Sequence, residues 1–381
     1  MIRRGVATFT LDTGTCPRWL FERMVRLGKE MIRTIILEYS PEELVARLSD
    51  PVWFQSLGTV LAFDWNASGL TTILTAAIKE AIRGEEKDLG FFACGGKGKT
   101  SLKTPLEIIQ WRDRLSLPDS TATSLVYNSK MAAKVDSCLV QDNYQIYHHA
   151  FFFTANGAWT VVQQGMNKTN KTARRYHWFS EKISDIVCEP HTAISSPLIG
   201  ECLDLTSRKS GSTRNISAEM VQGPYNSLMK DISIIRKYSS NLSKMIALTY
   251  QQQELVFAKL APVEFHRHPV MFEDFSKSSY LEKIIAKVCD IQPESYERLL
   301  SIEGVGPKTI RALSLVSEVI YGATPSYEDP ARYSFALGGK DATPYPVDRA
   351  TYDKTIHFFQ EIVLKMKASN SEKKAMMQKL Q

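Results

Sequence analysis

The chain has 381 residues, 44% of them hydrophobic and 23% charged, with a net charge of +6. That length is too great for one ordinary core, and the composition is that of a globular chain rather than a disordered or fibrous one. A mild basic excess permits a polyanionic partner without requiring one. It argues against a histone-like or ribosomal protein. No run of residues approaches the roughly 18 consecutive apolar residues of a membrane span, and the first residues, MIRRGVATFTLDTG, lack the apolar core of a secretory signal. A cytoplasmic location is expected. The six cysteines have no CxxC pairing and no histidine at finger spacing, so no structural zinc site is expected.

In chain order, 17–37 has helical periodicity, and Ser40 followed by Pro41, Glu42 and Glu43 reads as an N-cap with proline at the first helical position. The apolar run 58–64 (GTVLAFD) predicts a short strand, 70–82 a helix and 88–94 a second strand. The next segment, 95–101 (GGKGKTS), contains GKT, but Ala93 stands where a Walker A loop needs its first glycine, which excludes that loop. Lys97 and Lys99 could still hold a phosphate, or belong to a flexible basic loop. Asn156-Gly157 between the aromatic and β-branched runs 144–153 and 158–164 predicts a β-hairpin. Residues 203–218 are polar and basic, an expected exposed arm, and the chain beyond them reads as helical.

Several polar groups before residue 205 are candidate sites. Asp136, Asp142, His148 and His149 lie near or on the hairpin, and Asp64 ends an apolar run. Metal-dependent nucleases place carboxylates at strand ends, so Asp142 and His148 would serve a Mg²⁺ or Mn²⁺ ion, or be turn and core residues. His148 and His149 are adjacent and must face opposite sides of a strand. Lys168, Lys171, Arg174, Arg175, Tyr176, His177 and Trp178 alternate basic and aromatic residues, a pattern that grips phosphates and stacks on bases.

The most specific motif is Glu303-Gly304-Val305-Gly306-Pro307-Lys308-Thr309 between the amphipathic segments 293–302 and 310–321. The glycines allow a tight turn and close backbone approach, Val305 plugs the space between two helices, and Pro307 starts the second helix. The free amides at that helix start, with Lys308 and Thr309 beside them, suit a phosphate. The segment resembles the helix-hairpin-helix motif of DNA-repair and replication proteins, which implies duplex or damaged DNA as partner and Gly304, Val305, Gly306, Lys308 and Thr309 as binding residues. The resemblance extends to helix-hairpin-helix DNA glycosylases. It then implies that Lys308 acts as a Schiff-base nucleophile and that Asp329 or Asp348 is the catalytic carboxylate, where plain phosphate contact and helix capping are the other roles open to them. Asp348 follows Lys308 by forty residues, about twice the family's interval. The whole chain also resembles an uncharacterised, mainly archaeal prokaryotic family, through LDTGTCPRWL, FDWNASGLTT, ACGGKGKTS, the YHH hairpin, VVQQGMN and PYPVDRATYD.

The expected fold is α+β: a mixed α/β domain over 1–204 with a β-hairpin, a basic linker over 205–217, a helical helix-hairpin-helix domain over 218–368, and a fraying polar tail over 369–381. The expected function is DNA repair or processing, by excising a base or incising a strand at damaged DNA. A metal-dependent structure-specific nuclease and a non-catalytic DNA-binding adaptor are the alternatives. No cofactor is required unless the protein is a metal-dependent nuclease.

Overall fold

The computed structural model describes residues 3–6, 15–61, 67–196, 200–239, 248–250, 253–255, 279–331, 333–336 and 349–380. Asp64 and Asp348 lie outside them. After β1 (Arg3–Val6) come four helices, α1 (Arg18–Glu38), α2 (Pro41–Leu48), α3 (Pro51–Val60) and α4 (Ala67–Ala81), and then the short α5 (Glu86–Leu89). Strand β2 (Phe91–Lys97) leads through a 3-10 turn to α6 (Thr104–Leu115) and α7 (Asp119–Cys138). The strands β3 (Val140–Gln141), β4 (Gln145–Thr154), β5 (Trp159–Asn167), β6 (Thr172–Phe179), β7 (His191–Ser196) and β8 (Glu201–Asp204) follow. The remainder is α8 (Gly211–Gln222), α9 (Tyr225–Ser239), β9 (Leu248–Tyr250), β10 (Gln253–Leu255), α10 (Ser279–Ile291), α11 (Tyr296–Ser301), α12 (Pro307–Val319), β11 (Ser326–Glu328), β12 (Tyr333–Ala336), α13 (Arg349–Lys365) and α14 (Asn370–Gln378).

The fold is α+β. Seven strands form the central sheet in the order β1-β12-β7-β6-β5-β4-β2, with β2, β4, β5, β6 and β7 antiparallel and β7, β12 and β1 parallel. Side chains alternate between the two faces of a strand, and both faces here are apolar. Phe152 and Val162 pack against α1 to α4, α13 and α14, while Phe151, Phe153 and Val161 pack against α7 to α12. A smaller sheet, β11-β8-β3, lies beside the second layer. No helix among the described residues is long and apolar enough to cross a membrane.

Local signals act where the sequence places them. Ser40 Oγ accepts from the Glu43 amide and Pro41 opens α2. The β4–β5 connection carries Gly157 at φ 88°. Of the expected strand over 58–64, residues 58–60 instead end α3 and 62–64 lie outside the described residues: Asp50 accepts from the Val52 and Trp53 amides and Pro51 occupies the first turn, so helix is already nucleated before Gly58.

The expected linker over 205–217 is corrected. It contains the turn Arg208–Ser210 and the start of α8, with Leu205, Thr206, Ser210, Thr213 and Ser217 all buried. Its hydroxyls are satisfied by backbone: Ser210 Oγ donates to Asp204 O at 2.6 Å and Thr213 Oγ1 to Ala323 O at 2.8 Å. The stretch 218–368 is not wholly helical, since β11 returns to pair with β8. The tail is likewise corrected. Ser369 and Glu372 form a capping box at the start of α14, and Met376 is buried in the first layer.

Candidate functional site

The glycine hairpin joins α11 to α12. Ser295 caps α11 by accepting from the Arg298 amide at 3.2 Å. Gly304 has φ 95°, where a Cβ is strained and would meet Ile284 Cδ1 at 2.4 Å. Val305 is buried in the second-layer core, and its amide donates to Ile302 O at 3.2 Å. Gly306 is the N-cap of α12, in extended backbone, with no side chain to cap the helix. A Cβ on Gly306 would meet only Gly304 O, at 4.0 Å. Nothing among the described residues therefore demands glycine there by crowding. Lys308 is exposed beside them, while Thr309 is buried and helps to anchor the helix.

The carbonyl side of the same turn is tied from behind. Lys134 of α7 donates from Nζ to Leu300 O at 2.6 Å, Ile302 O at 2.6 Å and Val305 O at 3.2 Å. Burial lowers its pKa, and Glu303 opposes that shift. Lys287 donates to Glu303 O at 2.8 Å and Tyr280 to Gly304 O at 3.3 Å. Gln141 of β3 donates to Pro307 O at 3.2 Å and accepts from Arg311. The carbonyls of the turn thus meet cations and donors on the protein side, and no side chain caps the first turn of α12.

The other expected site residues divide sharply. Lys97 and Lys99 are exposed at the end of β2 and the turn after it, as are Lys168 and Lys171. The Gly95 amide in that loop already donates to the Glu107 carboxylate at 2.7 Å. Arg174 and Arg175, expected on DNA, are buried, because β6 lies between two helical layers. Arg174 pairs with Asp142 at 2.8 Å and Asp329 at 2.7 Å. Burial alone would pull its pKa down, but these carboxylates more than reverse that, and it is raised. Arg175 lies on the opposite face, with Nη1 3.3 Å from both Gln55 Oε1 and Thr71 Oγ1. Burial lowers its pKa to about 9.

Asp142 and His148 do not share a metal-ready pocket. Asp142 accepts from Arg174, Tyr176 Oη and the Tyr144 amide on the α7 side. His148 faces α4, with Nε2 3.1 Å from Thr75 Oγ1, and burial pushes its pKa down to about 3. His149 turns the other way, 2.9 Å from Ser129 Oγ of α7. Among the described residues no group of three His, Cys, Asp or Glu side chains is placed to hold a metal. Asp329 is engaged by Arg174 and the Gly200 amide, and no contact joins it to Lys308.

A cleft of about 370 Å³ opens between β7, β8, the turn Arg208–Ser210 and β11. His191 on its wall has Nε2 2.5 Å from Asp136 Oδ1, and the His191 side chain is 7% accessible. Asp136 is wholly buried and also accepts from Trp178 Nε1 at 3.1 Å and from Gln163 Nε2. Burial raises the Asp136 pKa against the pull of His191. Asp204 of β8 shares the cleft. Its carboxylate accepts from the Thr206 amide and hydroxyl, and burial raises its pKa too. His191 and Asp204 carry no sequence signal. The dyad partners are 55 residues apart, and only the β6–β7 pairing brings His191 to Asp136.

A family model described as a protein of unknown function, DUF763, matches residues 5–347. No curated protein and no solved structure matches the chain.

Proposed function

The chain belongs to the DUF763 family of proteins of unknown function, and from the geometry of its glycine hairpin we propose that it binds duplex DNA and acts in DNA repair or processing. The observation that carries this reading is the uncapped start of α12. Gly306 leaves open space before the first-turn amides, and Lys308 is exposed beside them. Amides at a helix N-terminus, with the helix dipole behind them, favour a phosphate. Such a contact reads backbone and not sequence, so affinity should be broad in sequence and steep in salt. The exposed lysines 97, 99, 168 and 171 add sequence-independent attraction.

Lys308 is a phosphate ligand in this reading. A Schiff-base lysine needs desolvation to hold its amine neutral, and Lys308 is exposed. The test is duplex binding by fluorescence anisotropy at increasing salt. Lys308→Ala should weaken binding at every sequence and flatten the salt slope by about one charge. Unchanged affinity and slope in that variant would sink the hairpin reading. Borohydride trapping on abasic DNA, lost in Lys308→Ala, would restore the nucleophile.

A further inference from the structure

Four carboxylates line the cleft between β7, β8, the turn Arg208–Ser210 and β11, and three of them already face a cation. Arg208 meets Glu189 at 3.1 Å, Lys209 meets Glu328 at 2.6 Å and Arg174 meets Asp329 at 2.7 Å. Asp204 has no cation beside it among the described residues. We infer that the cleft binds a short aliphatic diamine, with one ammonium at Asp204 and His191 and the other at the rim beside Glu328. None of the hairpin residues takes part, so this binding stands apart from the DNA reading.

The inner end is built before any ligand arrives. Asp204 is 4% exposed, and Thr206 donates to its Oδ1 from the amide at 2.8 Å and from the hydroxyl at 2.6 Å. Those bonds favour the carboxylate and hold it in place. A buried carboxylate without a cation is unfavourable, and an ammonium from outside offsets that. His191 supplies the second acceptor. Trp178 and Gln163 both donate to Asp136 Oδ2, which favours the Asp136 carboxylate, so the proton between Asp136 Oδ1 and His191 Nε2 belongs to the imidazole. The lone pair is then on Nδ1, which has no protein partner among the described residues, and the His191 side chain lines the cleft. Trp178 and Tyr176 lie against the ring, centres 4.8 and 6.2 Å away, and keep it from turning over.

Charge and spacing select the ligand. An ammonium donates to both acceptors. A metal ion would find one histidine and one uncompensated carboxylate, and among the described residues no group of three ligands is placed for it. Ala193, Ile194 and Pro330 give the wall an apolar stretch for methylenes. Asp204 pairs with Ser326 across β8 and β11, so Glu328, two residues on, is its diagonal neighbour at roughly 7–8 Å. A four-carbon chain spans that separation with an ammonium at each end. Glu328 is 77% exposed, and its surface pair with Lys209 is weak enough for a second ammonium to replace the lysine. The cleft volume of about 370 Å³ falls in the range of small-ligand sites.

The test follows binding to the full chain by calorimetry and by the shift in Tm, near neutral pH in physiological salt. The probes are 1,4-diaminobutane, butylamine and tetramethylammonium. One saturable site for diaminobutane is expected, with butylamine about tenfold weaker and no binding of tetramethylammonium, which has no N–H. Asp204→Asn keeps an acceptor for Thr206 and should weaken diaminobutane by about tenfold or more, its fold checked by circular dichroism. Glu328→Gln, on an exposed side chain, should leave butylamine unchanged and remove the advantage of the diamine. No saturable binding of diaminobutane in the millimolar range overturns the inference. So does tetramethylammonium binding as tightly as the diamine, which would mean charge attraction alone, and so does unchanged affinity in folded Asp204→Asn. Should Asp204→Asn fail to fold, Glu328→Gln decides, and a diamine preference that survives there overturns the inference.

Discussion

Lys134 reaches from α7 to the carbonyl of Ile302, 168 positions along the chain, at 2.6 Å. The ammonium also serves Leu300 and Val305, so one side chain holds three carbonyls of the glycine turn against the sheet's second helical layer. Lys134→Met would leave these acceptors without their charged donor. Hydrogen bonds to charged groups contribute ~1.5–3 kcal/mol each but are not additive, so a loss of about 2–3 kcal/mol is expected in urea denaturation. Duplex affinity should fall about tenfold, a change worth ~1.4 kcal/mol, because the α12 amides lose their fixed direction.

The two glycines should separate stability from binding. Gly304→Ala meets a left-handed backbone and displaces the Ile284 methyl, so a loss of ~1–2 kcal/mol is expected. Gly306→Ala has ordinary backbone and open space, so its Tm should stay near that of the parent. If a phosphate docks on this helix start, the added methyl narrows its approach and DNA affinity should drop. A Gly306→Ala protein that binds DNA as well as the parent would count against phosphate contact at this helix start.

Arg174 is the common partner of Asp142 and Asp329, all three side chains at most 3% accessible. Breaking a buried pair leaves an uncompensated charge and costs ~3–5 kcal/mol. Arg174→Met should therefore be severely destabilising by chemical denaturation while touching no DNA-contact surface. Lys168→Ala, on the same hairpin of strands but exposed, should leave stability within ~0.5 kcal/mol.

His148 and His149 give the fold an acid limit. Burial lowers their pKa values to about 3 and about 4, against ~6.5 for an unfolded histidine. The unfolded chain then binds more protons between those values, so stability is full above about pH 6.5 and falls as the pH drops through that window. At ~1.4 kcal/mol per pKa unit, the pair should remove on the order of 5 kcal/mol between pH 7 and pH 4. Thermal melts across that range measure it, and His149→Gln should shallow the slope.

Local chemistry was legible in the sequence. The Ser40 cap, the Asn156-Gly157 turn and α1 each depend on a few neighbouring residues, and each forms where expected. Burial was not legible where partners are distant. Lys168 to Trp178 reads as a basic aromatic strip, yet β6 is central and its arginines find partners up to 155 residues away. The same limit applies to 205–217. Its serines and threonines look solvated in sequence, but they bond to backbone and let α8 approach α12, with Ser217 Oγ 3.1 Å from Ser317 Oγ. Around the cleft, Asp329 and Asp136 stood out among several carboxylates, but His191 on β7 and Asp204 on β8 did not.

The layer that α1 begins is finished by α13 and α14. Met24, Met31 and Phe54 share one core with Phe359, Ile362 and Met376, and Lys365 meets Glu38 at 2.5 Å. During synthesis the sheet covers part of this apolar face, and the part that α13 and α14 cover stays open until residues near 380 have left the ribosome. A nascent chain halted at 320 would hold the glycine hairpin yet leave the apolar patch under α13 and α14 exposed, and would be a client for chaperones. Fragments meant to isolate the hairpin should keep the last thirty residues.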